Sequence, residues 1–404
     1  MSLRQAGVQI TNIASRLNML NIAFVKRTTF HSAMGTSCLF VVNGLGLGNS
    51  TRCHAIIEQL AASGCRVHVL TSGNGLDYFK GKKCIESLHS MESFFYSESG
   101  GRISGWATLK SAAVLAKMAR TKRKALLELL DKVNPDVAVI DSEYVISSLR
   151  HRRIPIIAIN NSEVVVTEFL KRRRQAKGVR SHFWLVEFFD YLFHRHYCDL
   201  VLSPFPLRTP TRHPKIRRIG LIVRPAVKKL VAAALPKETL SPRQLRRVVF
   251  MLSGLVHATQ VNFNGLQFPF AVDVVGRSGE SHGNVTFHGR QMNNTLLLAC
   301  ADAFVINGGY SALSECFAFR KPTFVLPVPG HAEQFVNACL ASDLGLGFSV
   351  TEQDVLNRLL EMHRQDCWIG RKPLPPAFEI NGDVEAAEAI LAYPFRLKSS
   401  LPVR

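Results

Sequence analysis

Short apolar runs alternate with longer amphipathic stretches along most of the chain. Residues 38–42 form an apolar run that predicts a buried strand, and residues 49–63 place Ile56, Ile57 and Leu60 on one face of a predicted helix. Another apolar run follows at 66–70. Strands that alternate with helices in this way indicate parallel βαβ units.

The alternation occurs in two series, separated by a segment rich in proline and charge. The first series predicts further strands at 136–140, 155–159 and 199–203 and a helix over 109–132. The second predicts strands at 248–252, 271–275, 284–287, 303–306, 323–327 and 347–350, and a last helix near 383–391. We therefore expect an α/β protein with an N-terminal extension (1–35), two domains of similar size around a cleft (36–222 and 247–382), a linker (223–246), and a C-terminal helix and tail (383–404).

Composition narrows the class of protein. The 404 residues are 47% hydrophobic and 20% charged, which is typical of a folded globular chain. No apolar, uncharged stretch reaches the roughly 18 residues that a spanning helix needs. Nine scattered cysteines without a Cys-x-x-Cys pair indicate neither a disulfide framework nor a zinc site and suit a reducing compartment. We expect a cytoplasmic protein, with peripheral attachment at the inner face of a membrane as a further option.

The net charge of +20 is concentrated in the first half. From Val248 onwards there are 11 Lys and Arg against 14 Asp and Glu, a balance of −3, so the preceding residues carry +23. This half is expected to contact an anionic acceptor, a membrane surface or a nucleic acid. Basic residues between 171 and 218 alternate with Phe183, Trp184 and Phe189, a pattern that also suits a solvated face beside a core helix.

The first 35 residues include four basic residues and no acidic one. Such a segment can be a transit-like presequence. A disordered extension, or a true start at Met34, is favoured over targeting, because no apolar core with a small-residue cleavage site follows.

Two glycine-containing loops are candidates for ligand binding. Gly44, Gly46 and Gly48 stand between a strand and a helix, but their spacing differs from the dinucleotide pattern, and an ordinary strand–turn–helix corner is the alternative. In the second loop, Asn307-Gly308-Gly309-Tyr310-Ser311, a phosphate can rest on the glycines and the start of a helix. Glu315, one helical turn further, can accept both hydroxyls of a ribose, or it is an ordinary surface glutamate.

A third cluster follows the next predicted strand. A proline-rich turn leads into His331, Glu333 and Gln334 at a predicted helix start. The acid and the amide suit the hydroxyls of a sugar, and simple helix capping is the alternative.

These clusters together resemble the GT-B glycosyltransferases, in particular the branch that contains the N-acetylglucosaminyl transferase of lipid II synthesis and related archaeal and bacterial UDP-sugar transferase-like proteins. The likeness is strongest over 301–347 and extends to 44–52, 135–141 and 220–225. It implies two Rossmann-like parallel-sheet domains facing a central cleft, the first binding an acceptor and the second a nucleotide sugar. It also implies inverting transfer from a UDP-sugar to a lipid-linked or glycan acceptor.

The resemblance assigns roles by position. The diphosphate would contact Asn307, Gly308, Gly309 and Ser311, and the ribose would contact Glu315. The transferred sugar would contact Glu333 and Gln334, and the nucleobase would face the backbone of His288 and Gly289. The cleft near the phosphates would be lined by Ser253 and Gly254. No metal is expected, because backbone N–H groups and the helix dipole stabilise the leaving diphosphate in this fold.

One position departs from the family pattern. The family loop reads G-x-G-x-G-H-x-x-R, and here Gly46, Gly48 and Arg52 match it while Asn49 replaces the histidine. An amide cannot accept a proton at ordinary pH. The base is then another residue (Asp141 first, then Glu143, then His331), or the acceptor is already ionised, or the chain binds nucleotide sugars without catalysis. A nucleic-acid- or nucleotide-modifying transferase and a UDP-sugar epimerase are further alternatives.

Overall fold

The computed structural model describes residues 35–92, 105–207, 209–211, 213–234, 245–252, 261–263, 266–345, 347–365 and 379–394. The interpretations made for residues 1–34, Ser253 and Gly254 lie outside these ranges.

Thirteen strands form within the described residues, and most coincide with the predicted runs. They are β1 (Ser37–Val42), β2 (Arg66–Thr71), β3 (Ser87–Ser90), β4 (Val137–Asp141), β5 (Ile156–Ile159), β6 (Leu200–Pro204), β7 (Ile216–Ile219), β8 (Arg247–Met251), β9 (Ala271–Val275), β10 (Val285–Gly289), β11 (Ala303–Ile306), β12 (Thr323–Val325) and β13 (Gly347–Ser349). The sequence pattern missed β3 and β7, because these outer strands are short and half polar.

The helices fill the connections between the strands. They are α1 (Leu47–Ala62), α2 (Gly73–Phe79), α3 (Gly105–Val133), α4 (Ser147–His151), α5 (Ser162–Arg172), α6 (Arg180–His182), α7 (Phe188–Tyr197), α8 (Pro225–Ala234), α9 (Thr295–Cys300), α10 (Tyr310–Phe319), α11 (Ala332–Asp343), α12 (Glu352–Gln365) and α13 (Gly382–Leu391). A π-helical turn, Phe183–Glu187, joins α6 directly to α7.

Two parallel sheets confirm the predicted fold class. The first has the strand order β3-β2-β1-β4-β5-β6-β7 and the second β10-β9-β8-β11-β12-β13. Every neighbouring pair in both sheets is parallel. Helices cover both faces of such sheets, which is why β1 and β4 are buried along their whole length.

The C-terminal helix α13 returns to the first domain. Its Ala386 and Ile390 pack in the same core as Ile56 of α1. Asp383, in its first turn, accepts hydrogen bonds from Gln59 Nε2 of α1 (3.0 Å) and from Lys228 Nζ of α8 (2.8 Å). Helix α13 therefore links the first domain to α8.

Helix α8 occupies part of the segment interpreted as a linker. Its Val227, Leu230 and Val231 are buried with Phe304 and Leu313 in the core of the second domain. This part of the segment is thus packed structure.

The two domains also share an apolar cluster. Phe169 and Phe183 of the first domain stack with their ring centroids 3.6 Å apart. Ala332 and Val336 of α11, from the second domain, belong to the same buried cluster. Helix α11 is therefore held against α5 and the π-helical turn.

No helix in the described ranges is long and apolar enough to cross a membrane. The eight cysteines that the structure describes are all free thiols.

Candidate active site

The turn between β11 and α10 is held rigidly from both sides. Gly308 has φ +88°, and a Cβ there would lie 2.9 Å from Val325 Cγ1, so the turn requires glycine. Asn337 Nδ2, from α11, donates to the Gly308 carbonyl oxygen over 2.8 Å. Asn307 Nδ2 donates to the Leu326 carbonyl oxygen over 3.1 Å. The backbone of this turn is fixed before any ligand binds.

The starts of helices α1 and α10 meet across the cleft. Ser311 Oγ donates to the Gly48 carbonyl oxygen over 3.0 Å. The N-cap residues, Gly46 and Gly309, make no side-chain capping bond, and neither first turn contains an acidic residue. Two positive helix ends therefore flank one point without an anionic side chain of their own, which favours an anion there.

Glu315 is not the exposed surface glutamate of the alternative interpretation, because it is only 6% exposed. Its Oε1 and Oε2 accept hydrogen bonds from Arg224 Nε (2.5 Å) and Nη2 (2.7 Å). Burial alone lowers the pKa of Arg224, but Glu315 raises it above its ordinary value. Each carboxylate oxygen has a second lone pair, so Glu315 can still accept a hydroxyl while Arg224 fixes its orientation.

Sequence reasoning did not assign a role to Arg224. The residue stands in the stretch 220–225 that carries the family resemblance, and that is the one signal that could have identified it. Its Nη2 also donates to Asn294 Oδ1 over 2.6 Å.

The acid and the amide at the start of α11 have separate partners. Gln334 Oε1 accepts a hydrogen bond from the Val328 backbone N–H over 2.9 Å, which stabilises the loop between β12 and α11. Glu333 Oε1 accepts a hydrogen bond from Asn161 Nδ2, in the first domain, over 3.3 Å. Burial raises the pKa of Glu333. Of the two residues, Glu333 is the one that connects the domains.

The region expected near the nucleobase of the donor is ordered by local contacts. His288 Nε2 lies 2.7 Å from Asp273 Oδ1, and its carbonyl oxygen accepts from Gln291 Nε2 over 2.7 Å. Gly289 has φ +59°, and its carbonyl oxygen accepts the Gly276 N–H over 2.8 Å. The His288 side chain is thus held by the Asp273 carboxylate.

Asp141 does not have the environment expected of a catalytic base. Its side chain is fully buried, and its two oxygens accept from Arg52 Nε and Nη2 over 2.5 Å each. Burial alone lowers the pKa of Arg52, but the Asp141 carboxylate raises it above its ordinary value. Both carboxylate oxygens are therefore held by Arg52 in the protein interior, and the role of Asp141 as the base stays a prediction.

Glu143, the second candidate for the base, is also held in a buried ion pair. Its Oε2 lies 2.7 Å from Lys122 Nζ, and both side chains are buried. Asn49, at the position of the family histidine, is half-buried, and its Nδ2 lies 3.5 Å from the Asn43 carbonyl oxygen.

His331 is part of a cluster that the sequence did not reveal. Its ring and that of His182 are tilted against each other with centroids 4.7 Å apart, and His182 Nδ1 lies 3.5 Å from Glu187 Oε1. Burial lowers the pKa of both histidines. Burial also raises the pKa of Glu187 to about 9, with Glu333 and Asp190 adding to the shift. No sequence spacing connects His331 with residues some 150 positions earlier.

A groove of about 460 Å³ lies on the first domain between α5 and α7. It is lined by Glu163, Val166, Thr167, Leu170, Lys171, Phe188, Tyr191 and His213. A second groove of about 320 Å³ shares Glu163, Thr167 and Lys171 with it and adds Arg218. Both grooves combine apolar and charged side chains, and the cations Lys171 and Arg218 are paired with Glu168 and Glu163.

Two parallel-sheet domains that face a cleft, with glycine turns at the carboxyl ends of β1 and β11, define a two-domain glycosyltransferase of the GT-B type. The chain belongs to glycosyl transferase family 1, whose profile matches residues 36–364. The protein is therefore a glycosyltransferase.

Relatives and solved structures agree with this family. An uncharacterized glycosyltransferase of Methanosarcina acetivorans is 24% identical over 76% of this chain and 82% of its own length. The calicheamicin glycosyltransferase CalG4 has the same fold (TM-score 0.56, 17% identity, 90% of this chain and 99% of that one). Acinetobacter baumannii MurG shares this fold with a TM-score of 0.50 and 14% identity, over 88% of this chain and 99% of that one. LpCGTa in complex with UDP shares it with a TM-score of 0.53 and 13% identity, over 88% of this chain and 93% of that one.

Proposed function

We propose that the protein transfers a sugar from a nucleoside diphosphate sugar, with UDP as the expected nucleotide, to an acceptor bound by its first domain. The observation that carries the donor assignment is the meeting of two uncapped helix starts at Ser311 and Gly48. A diphosphate supplies the negative charge that this point lacks. That LpCGTa was solved with UDP adds support.

The remaining donor contacts follow from the same turn. Glu315, oriented by Arg224, accepts the ribose hydroxyls, and Glu333 accepts a hydroxyl of the sugar. In the proposed reaction the leaving diphosphate is stabilised by backbone N–H groups and helix dipoles, so no metal is needed at the phosphates. Attack on the anomeric carbon from the opposite face inverts its configuration.

For the acceptor, we propose an oxyanion such as a phosphate or carboxylate. Asp141 and Glu143 are both held in buried ion pairs, and Asn49 cannot accept a proton. An acceptor that is already ionised needs no general base. Lys171 and Arg218 line the second groove, each paired with a glutamate, and they are the cations that such a group would contact there.

The acceptor domain is also proposed to rest on an anionic membrane at the inner face. Trp184, Leu185 and Phe189 expose 48%, 68% and 61% of their surfaces on adjoining helical turns. Exposed cationic residues precede them in the chain: Lys171, Arg173, Arg174, Lys177 and Arg180. Apolar side chains beside lysine and arginine suit a bilayer surface, and a lipid-linked acceptor would be reached there.

Nucleotide binding tests the donor assignment. Isothermal titration with UDP, UDP-sugars and thymidine diphosphate should show binding of a uridine nucleotide, and Glu315→Gln should weaken it at least about tenfold, the loss of roughly 1.4 kcal/mol of hydrogen bonding. Glu128→Gln, an exposed glutamate of α3, is the matched control and should bind like the wild type. Absence of binding by all nucleotides at millimolar concentration would overturn the proposal.

A further inference from the structure

We propose that His182, Glu187 and His331 form a binding site for a divalent transition-metal ion between the two domains. Each residue offers one ligand atom, and these three atoms lie within 4.8 Å of one another. The pair formed by His182 Nδ1 and Glu187 Oε1 is already 3.5 Å apart. Ligand atoms in a tetrahedral zinc site are separated by about 3.3 Å, so small side-chain rotations close the site.

One ring nitrogen of each histidine and a carboxylate oxygen of Glu187 lie close together. A carboxylate oxygen and an unprotonated imidazole nitrogen repel each other unless a proton or a cation lies between them. The donor that reaches His182 Nδ1 is the Ala332 backbone N–H, over a long 3.4 Å. His331 Nδ1 is buried and has no hydrogen-bond partner in the described part of the chain. A metal ion bound through His331 Nδ1 would satisfy this buried nitrogen as well as the contact between His182 and Glu187.

The ligand set selects the class of ion. Two imidazoles and one carboxylate suit zinc and its first-row neighbours, whereas magnesium and calcium prefer oxygen ligands alone. Three protein ligands leave at least one further coordination position for water or a substrate oxygen.

The site would join the domains at a place separate from the diphosphate turn. His182 and Glu187 belong to the helical segment that carries the exposed apolar residues, while His331 precedes α11 of the second domain. The neighbouring Glu333 already contacts Asn161 across the same boundary. An ion here would therefore add a further polar link between the domains, beside the proposed sugar position.

Metal binding to the full chain tests the site without any nucleotide. Zn²⁺ titrated against a chromophoric chelator should bind at one equivalent per chain, and Co²⁺ should give the visible absorption of a nitrogen- and oxygen-ligated ion. His182→Ala, Glu187→Gln and His331→Ala should each lower Zn²⁺ affinity at least about tenfold, since even outer-shell changes cost that much. Because no donor is present, the result does not depend on the proposed transferase chemistry.

Two control variants distinguish the site from adventitious binding. Glu58→Gln removes a carboxylate that lies 3.3 Å from His54 Nε2 but belongs to no three-ligand group within the described ranges, and His151→Ala removes an exposed histidine. Both should bind Zn²⁺ like the wild type. Circular dichroism of each variant without metal tests whether it is folded. His331→Gln is used if His331→Ala does not fold. Failure of the wild type to bind Zn²⁺, or equal affinity in cluster and control variants, would overturn the proposal.

Discussion

Three carboxylates that the sequence marked for chemistry are each paired with a buried cation. Asp141 binds Arg52, Glu143 binds Lys122, and Glu315 binds Arg224. The partners lie between 21 and 91 residues away along the chain. At the residue scale, therefore, the position of an acid relative to a strand end did not reveal whether it faces the cleft or stabilises the fold.

The Asp141–Arg52 pair permits a direct test of that distinction. Asp141→Asn leaves the Arg52 charge buried without compensation and should lower the free energy of unfolding by about 3–5 kcal/mol. Turnover per folded molecule should fall by less than about tenfold, whereas loss of a general base costs about 10²–10⁴-fold. Urea unfolding and initial rates, normalised to the folded fraction, measure the two effects.

A double variant completes this test. Replacing both partners, with Arg52→Met and Asp141→Leu, should recover most of the lost stability because no unpaired charge remains. A stable Asp141→Asn protein whose turnover is reduced a hundredfold or more would show instead that Asp141 takes part in proton transfer.

At the scale of single elements, the β1–α1 turn shows why its glycines differ in importance. A Cβ on Gly44 would lie 1.6 Å from the Ser72 carbonyl oxygen, so the turn depends on the absence of a side chain there. A Cβ on Gly46 would meet nothing within 4 Å. The close approach at Gly44 brings the β1–α1 turn against the start of α2 and thereby fixes where α1 begins.

Gly44→Ala and Gly46→Ala form a matched pair in the same turn. Gly44→Ala should lower the free energy of unfolding by at least about 2 kcal/mol, because backbone has to move to admit the methyl group. Gly46→Ala should cost no more than about 1 kcal/mol, the difference between glycine and alanine at an N-cap. Chemical unfolding of both variants measures this, and equal losses would contradict the packing described at Gly44.

At the scale of the whole molecule, charge and exposed apolar surface lie together on the first domain. That domain carries the excess positive charge, and its π-helical turn exposes Trp184 and Leu185. The same segment contributes Phe183 to the apolar cluster shared with α11 and Glu187 to the proposed metal site. The segment that would contact a membrane therefore also packs, through Phe183, against helix α11 of the second domain.

Vesicle binding tests the proposed membrane contact. The protein should sediment with phosphatidylcholine vesicles that contain phosphatidylserine, and less with phosphatidylcholine alone, since each lysine or arginine near an anionic surface contributes about 1 kcal/mol. Leu185→Glu should reduce binding at least about tenfold, because it removes the burial of one leucine, worth about 1.5–3 kcal/mol.

The control for this variant lies on the other domain. Leu296, in α9, is 51% exposed, and Leu296→Glu should bind vesicles like the wild type. Equal binding by the two variants would contradict a bilayer contact through Leu185. Displacement of the vesicles by duplex DNA at low salt would favour a nucleic-acid surface instead.

The sequence by itself determined the two α/β domains, the parallel sheets and the turn at Gly308, because apolar period and glycine position are local properties of the chain. It also predicted donor contacts for Glu315 and Glu333. Only the tertiary structure decided that Arg224 binds and orients Glu315, that Arg52 binds Asp141, and that the rings of His182 and His331 are in contact. Those pairings join residues from distant strands, helices and loops, and such distances are set by how the sheets and helices pack.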